Sequence, residues 1–148
     1  MLLGFKQQFE HKIRSGEKTH TIRGERKDGK TPAVGEALHC YVNPRTKQMR
    51  LIGRWPCVRV EPVRISLTLD HAYAKSLRIQ IGDQVLSRDE ADAFAKRDGF
   101  ENMDEMARFW KREHGLKIGS RPWRGWVIHW DFTKPLYRRG KAVGAARP

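Results

Sequence analysis

The sequence predicts a single mixed α+β domain, with strands early and at the far end and helices between them. Three observations predict it. Residues 37–42, 49–69 and 123–133 carry the β-branched, aromatic and alternating apolar residues of strands. Residues 88–97 and 102–110 carry helical spacing, with Met103, Met106, Phe109 and Trp110 on one face. The chain has 148 residues, 39% of them hydrophobic, which suffices for one core.

Phe5, Phe9 and Ile13 recur every fourth residue, so a helix is expected over 5–14, stopped by Gly16. Residues 18–23, KTHTIR, read as extended, and 24–35 as a loop with three glycines and a proline. A strand over 37–42 follows, then the turn Asn43-Pro44-Arg45-Thr46. The apolar signal resumes near Met49 and continues to Leu69, but Pro56 and Pro62 predict a bend, a bulge or an edge there. Short strands are expected on either side of Gly82-Asp83. Ser87 or Arg88 opens the first of two helices, Asp98-Gly99-Phe100 breaks it, and Asn102 or Asp104 caps the second. In the closing strand, alternation places Trp126, Ile128 and Trp130 toward the core. Trp55 and Trp123, beside Pro56 and Pro122, are expected at an exposed stacking surface. Residues 134–148, with five basic and no acidic side chains, are expected to form a flexible basic tail after a domain spanning 1–133.

Lys and Arg number 30 against 17 Asp and Glu, a formal charge of +13. That excess favours polyanions, nucleic acid above all, and argues for a nucleic-acid or nucleotide connection. No stretch approaches the roughly 20 apolar residues of a membrane span, and the opening MLLGFKQQFEHK is too short an apolar run for a secretory signal. A cytoplasmic protein without membrane partners is expected. Cys40 and Cys57 form no Cys-x-x-Cys pair, and His39 lies on the opposite strand face from Cys40. Both cysteines are therefore expected to be reduced filling groups, with no metal site and no cofactor.

The densest chemistry lies in residues 15–23, where Lys18, His20, Thr21 and Arg23 can all act. If the segment is extended, Lys18 and His20 share one face and Thr21 and Arg23 the other; a turn at Lys18-Thr19 would bring Lys18 toward Thr21. An ordinary exposed strand is the competing account.

Residues 16–23, GEKTHTIR, preceded by the Phe9/Ile13 helix, resemble the signature of the ASCH family. The resemblance continues in order through Val34-Gly35-Glu36-Ala37-Leu38, Asp98-Gly99-Phe100 with its following helix, and the closing Trp126–Trp130 segment, covering roughly 5–131. It implies a small PUA-like β-barrel with flanking helices. The family includes RNA-binding modules, nucleases and a branch of amidohydrolases that deacylate N4-acetylcytidine. For that branch the resemblance implies Thr21 as nucleophile, Lys18 as its base and Asp98 as proton relay, with Glu101 or Glu105 as the acid if the register shifts. His20, Arg23, Arg45 and Trp55 are the expected substrate-binding residues. The expected partner is a modified cytosine nucleoside or RNA, and a monomer is the expected state. An RNA-binding module or ribonuclease using the same cleft is the second reading.

Overall fold

The computed structural model describes residues 1–69, 75–137 and 141–142. It is mixed α+β, with three α-helices and one seven-stranded sheet in addition to a two-stranded ribbon. The strands are β1 (Leu2–Phe5), β2 (His20–Gly24), β3 (Ala37–Val42), β4 (Arg50–Leu69), β5 (Lys75–Ile81), β6 (Gln84–Val85) and β7 (Trp123–Trp130), with β8 (Leu136–Tyr137) and β9 (Lys141–Ala142) forming the ribbon. The helices are α1 (Glu10–Ser15), α2 (Arg88–Arg97) and α3 (Met103–His114). The hydrogen-bonded path runs β1-β3-β4-β5-β6, open at β1 and β6, and β7 pairs with β2 and β4. Among the described residues no helix is long and apolar enough to cross a membrane. Of the expected basic tail, residues 138–140 and 143–148 lie outside the described residues.

The chain divides into two compact units. Unit 1 comprises residues 1–21, 31–60 and 128–148; unit 2 comprises 22–30 and 61–127.

In unit 1, β1 runs parallel to β3, with Leu3 opposite Cys40 and Phe5 opposite Val42. β3 is antiparallel to β4, from Ala37 opposite Pro56 to Val42 opposite Arg50. Strict alternation along β3 buries Leu38, Cys40 and Val42, as period two requires. Leu3, Phe5, Phe9, Ile13, Trp55 and Trp130 complete that core. Each such side chain contributes about 1.5–3 kcal/mol on full burial. Cys40 and Cys57 are free and buried, and burial pushes the Cys57 thiol up. The expected helix over 5–14 is corrected here. Phe5 ends a strand, a 3-10 turn covers Gln7–Phe9, and α1 starts only at Glu10. Parallel pairing with β3 supplies backbone partners that a helix begun at Phe5 would forgo.

In unit 2, β4 and β5 pair antiparallel, with Val63 opposite Ile81, Ile65 opposite Ile79 and Leu67 opposite Leu77. Ser87 caps α2 through a reciprocal capping box with Glu90, and Asn102 caps α3 by accepting from the Glu105 N–H at 2.9 Å. Ala91, Phe94 and Ala95 of α2 are buried, as are Met103, Met106, Ala107 and Trp110 of α3.

The bend, bulge or edge expected at Pro56 and Pro62 does not divide the strand: β4 is one strand of 20 residues. The reason is position. Pro56 occupies the last rung shared with β3, and Pro62 immediately precedes the first rung shared with β5. Each missing N–H therefore falls at the limit of a ladder, where it costs little. The closing strand also differs from expectation. Trp126 is half-buried, whereas Val127 and Ile128, which point to opposite faces, are both buried. A strand paired on both edges and covered on both faces has no single core side.

Candidate functional site

Among the described residues, four polar or charged residues are buried: Lys18, His20, Thr21 and Asp98. The first three belong to unit 1 and the fourth to unit 2. Burying such groups costs several kcal/mol unless partners offset it, so their position calls for a reason beyond packing.

Local chain geometry sets the first three. Helix α1 ends at Gly16, which adopts φ 83°. A β-carbon there would also meet the Phe132 ring at 2.7 Å, so glycine is needed for both conformation and space. The Lys18 N–H then donates to the Lys12 carbonyl at 2.9 Å, turning the chain directly into β2. The Lys18 side chain enters an apolar box, its Nζ 5.6 Å from the Phe5 ring centre and 5.1 Å from that of Phe9. Nζ donates to the His20 carbonyl oxygen at 2.9 Å. That carbonyl belongs to the peptide joining His20 to Thr21, so Nζ lies within roughly 6 Å of the Thr21 Cα by peptide geometry.

His20 is fully buried, and its ring meets His129 edge-on at 5.2 Å. Its carbonyl oxygen accepts from Lys18 Nζ at 2.9 Å. His129 is half-buried on β7, and nothing in its place between Ile128 and Trp130 in the sequence signals that it meets another histidine. Thr21 is buried beside His20.

Trp55 is corrected from an exposed stacking group to a core residue. It is 5% exposed, stacks on Trp130 at 6.3 Å and touches Phe132 at 5.7 Å. Its ring folds back over Gly53, where any β-carbon would collide with it. Arg45 stands exposed at the β3–β4 turn with φ 62°. Arg14 pairs with Glu10 at 2.9 Å. Glu10 also pairs with Arg50. Burial would raise the Glu10 carboxyl, but the hydrogen bonds and charges of the two arginines outweigh it and hold the group below its usual range.

In unit 2, Arg23 lies half-buried on β2, with its carbonyl oxygen against Gly125. Asp98 closes α2, its N–H donating to the Phe94 carbonyl at 3.0 Å, and its side chain is buried. The rival acids have other duties. Glu101 is exposed, and Glu105 accepts from the Glu101 N–H at 3.1 Å in the first turn of α3. Burial therefore favours Asp98 among the three. No cluster of three or more His, Cys, Asp or Glu side chains suited to a metal ion occurs among the described residues.

In chemical terms, a neutral lysine amine can take a proton from a threonine hydroxyl, and the bond from Nζ to the His20 carbonyl holds the Lys18 amine near the Thr21 peptide. A threonine hydroxyl is a weak nucleophile without such a partner. No family model, curated protein or solved structure matches the chain.

Proposed function

We propose that the chain is a cytoplasmic, monomeric amidohydrolase of the ASCH family that removes the acyl group from N4-acylated cytosine nucleosides without a metal or cofactor. The observation that carries the reading is the burial of Lys18, His20, Thr21 and Asp98, the polar residues buried among those described. Three of them are the residues that the family resemblance assigns to catalysis. A PUA-like barrel is the fold the same reading implies.

Thr21 Oγ attacks the acyl carbon while Lys18 accepts the hydroxyl proton. The tetrahedral intermediate collapses with cleavage of the C–N bond; a carboxylic acid, the part the resemblance gives to Asp98, passes a proton to the departing N4, and the deacylated nucleoside leaves. Water then hydrolyses the threonine ester, with Lys18 again taking its proton; the Thr21 hydroxyl is restored and the carboxylate leaves. General base catalysis of this kind supplies about 10²–10⁴-fold. Only the neutral amine can accept a proton, so turnover should rise with pH.

The charge of +13 favours a second reading, an RNA-binding module or ribonuclease using the same residues. Purified protein incubated with N4-acetylcytidine and a chelator separates the two. Conversion to cytidine, followed by ultraviolet absorbance, supports the hydrolase. Absence of turnover, together with cleavage or salt-sensitive binding of RNA that is lost on Lys18→Met, supports the second reading.

A further inference from the structure

Residues 108–124 of unit 2 carry six Lys or Arg side chains and one carboxylate. The basic side chains are Arg108, Lys111, Arg112, Lys117, Arg121 and Arg124, and all six are exposed. Glu113, the single acid, pairs with Arg112 at 3.6 Å.

The fold gathers these charges around two aromatic rings. His114 ends α3, and Trp123 begins β7 after an eight-residue connection. Their rings meet at 5.5 Å, which closes the connection on itself as a compact surface loop. Lys117 and Arg121 belong to that closed loop, three residues after His114 and two before Trp123. Lys111 stands one helical turn before His114, and Arg124 follows Trp123 directly. Beneath them, buried Trp110 stacks on His114 at 4.0 Å and meets Trp123 edge-on at 4.6 Å. Gly125 clears the space for the Trp123 ring, which would lie 2.5 Å from a β-carbon there. His114 is exposed and Trp123 half-exposed, so the supported platform has an open side.

Compensation of the helix dipole accounts for Lys111, Arg112 and His114 in the last turn of α3. It does not account for Lys117, Arg121 and Arg124, which lie beyond the helix. Nor does it account for rings held in place and left open among cations.

We propose that the α3–β7 loop is a docking surface for single-stranded RNA, in which Lys117, Arg121 and Arg124 contact phosphates and a base stacks on the His114–Trp123 pair. The inference stands apart from the amidohydrolase reading, because it concerns binding alone and uses none of the groups assigned to catalysis. Base stacking on aromatic side chains and cationic tracking of the backbone are the two components of strand binding that does not depend on sequence.

The test is fluorescence anisotropy of a labelled uridine decamer, and of an abasic strand of the same length, with the full chain over a range of salt. Wild-type protein should bind the decamer more tightly than the abasic strand. The Lys117→Glu/Arg121→Glu/Arg124→Glu variant should lose more than tenfold affinity at low salt, and its log K against log salt slope should flatten by about 2, for three lost phosphate contacts. A control that moves charge equally elsewhere, Lys27→Glu/Lys30→Glu/Lys47→Glu, should lose far less. His114→Ala should reduce binding of the decamer about tenfold, a stacking loss, and leave the abasic strand nearly unaffected. Thermal melts verify that each variant folds. Equal losses in both charge variants, or equal binding of the decamer and the abasic strand, would reduce the surface to a general polyanion attractor and overturn the proposal. So would absence of wild-type binding at low salt.

Discussion

Replacing Lys18 by Met separates a catalytic lysine from a structural one. The variant keeps an unbranched side chain of similar length in the Phe5–Phe9 box and deletes the nitrogen. What it loses in stability includes the 2.9 Å bond to the His20 carbonyl, about 1.5–3 kcal/mol when the donor is charged, and two ring contacts of about 0.5–1 kcal/mol each. What it gains is relief from keeping an amine at 3% exposure, a desolvation cost of several kcal/mol when that amine is charged. The two nearly cancel, so urea denaturation should show a stability change within about 2 kcal/mol of wild type. Turnover of N4-acetylcytidine should nevertheless fall by at least about 10²–10⁴-fold, since a general base is gone. A variant that loses more than about 4 kcal/mol but keeps its turnover per folded molecule would show that Lys18 is a structural group, and the reasoning would fail.

Other consequences can be measured. Asp98→Asn should cut turnover far more than Glu101→Gln or Glu105→Gln; a larger loss from Glu101→Gln would move the proton relay there. Gly16→Ala should cost about 2–4 kcal/mol in urea titration, from a left-handed backbone carrying a β-carbon and from collision with the Phe132 ring. Stability should decline in acid. Desolvation by burial at His39, and by the packed rings on the covered side of His114, holds both imidazoles below their ordinary value, and the N-terminal ammonium and Arg54 add to the effect at His39. Because the folded values lie below the unfolded one, the stability is complete above about pH 6.5 and is lost as pH falls through the folded values. At His39, protonation would also remove the Nδ1 acceptor that Arg54 Nε engages at 2.8 Å. Thermal melts between pH 8 and 5 should show this decline, flattened in the His39→Asn/His114→Asn variant; a melting temperature constant over that range would contradict it.

The parts of this account legible in the sequence are those with a local cause. Alternation along β3, the stop at Gly16, and the caps Ser87 and Asn102 all follow from neighbouring residues. The errors share a different cause, in that each depended on a partner distant in sequence. Leu2–Phe5 became a strand because β3 offers it a parallel edge, while Phe5, Phe9 and Ile13 by themselves imitate a helical stripe. The prolines of β4 are harmless because of where β3 and β5 begin and end. Trp55 looked exposed because proline follows it. The informative neighbour was Gly53, two residues earlier on the same strand face, over which the ring lies. Trp123 repeats the arrangement with Gly125, two residues later. A glycine two positions from a tryptophan in a strand is thus a usable signal of where the ring goes. For the site, the motif pointed to Lys18, Thr21 and Asp98 for catalysis and the sequence to His20 for binding, and all four are buried. It gave no indication that the lysine would anchor on the His20 carbonyl, because a turn at Gly16 and a box made by Phe5 and Phe9 set that geometry.

The central claim is that the Thr21 hydroxyl is the nucleophile, and a pair of substitutions at that position tests it most directly. Thr21→Ser keeps the oxygen, whereas Thr21→Ala removes it with a similarly small change in volume at a buried site. Initial rates of N4-acetylcytidine hydrolysis, normalised to folded protein by circular dichroism, should leave the serine variant within about tenfold of wild type and lower the alanine variant by about 10³-fold or more. Equal rates for serine and alanine, both near wild type, would contradict the account and pass the nucleophile's role to water or to Lys18 itself.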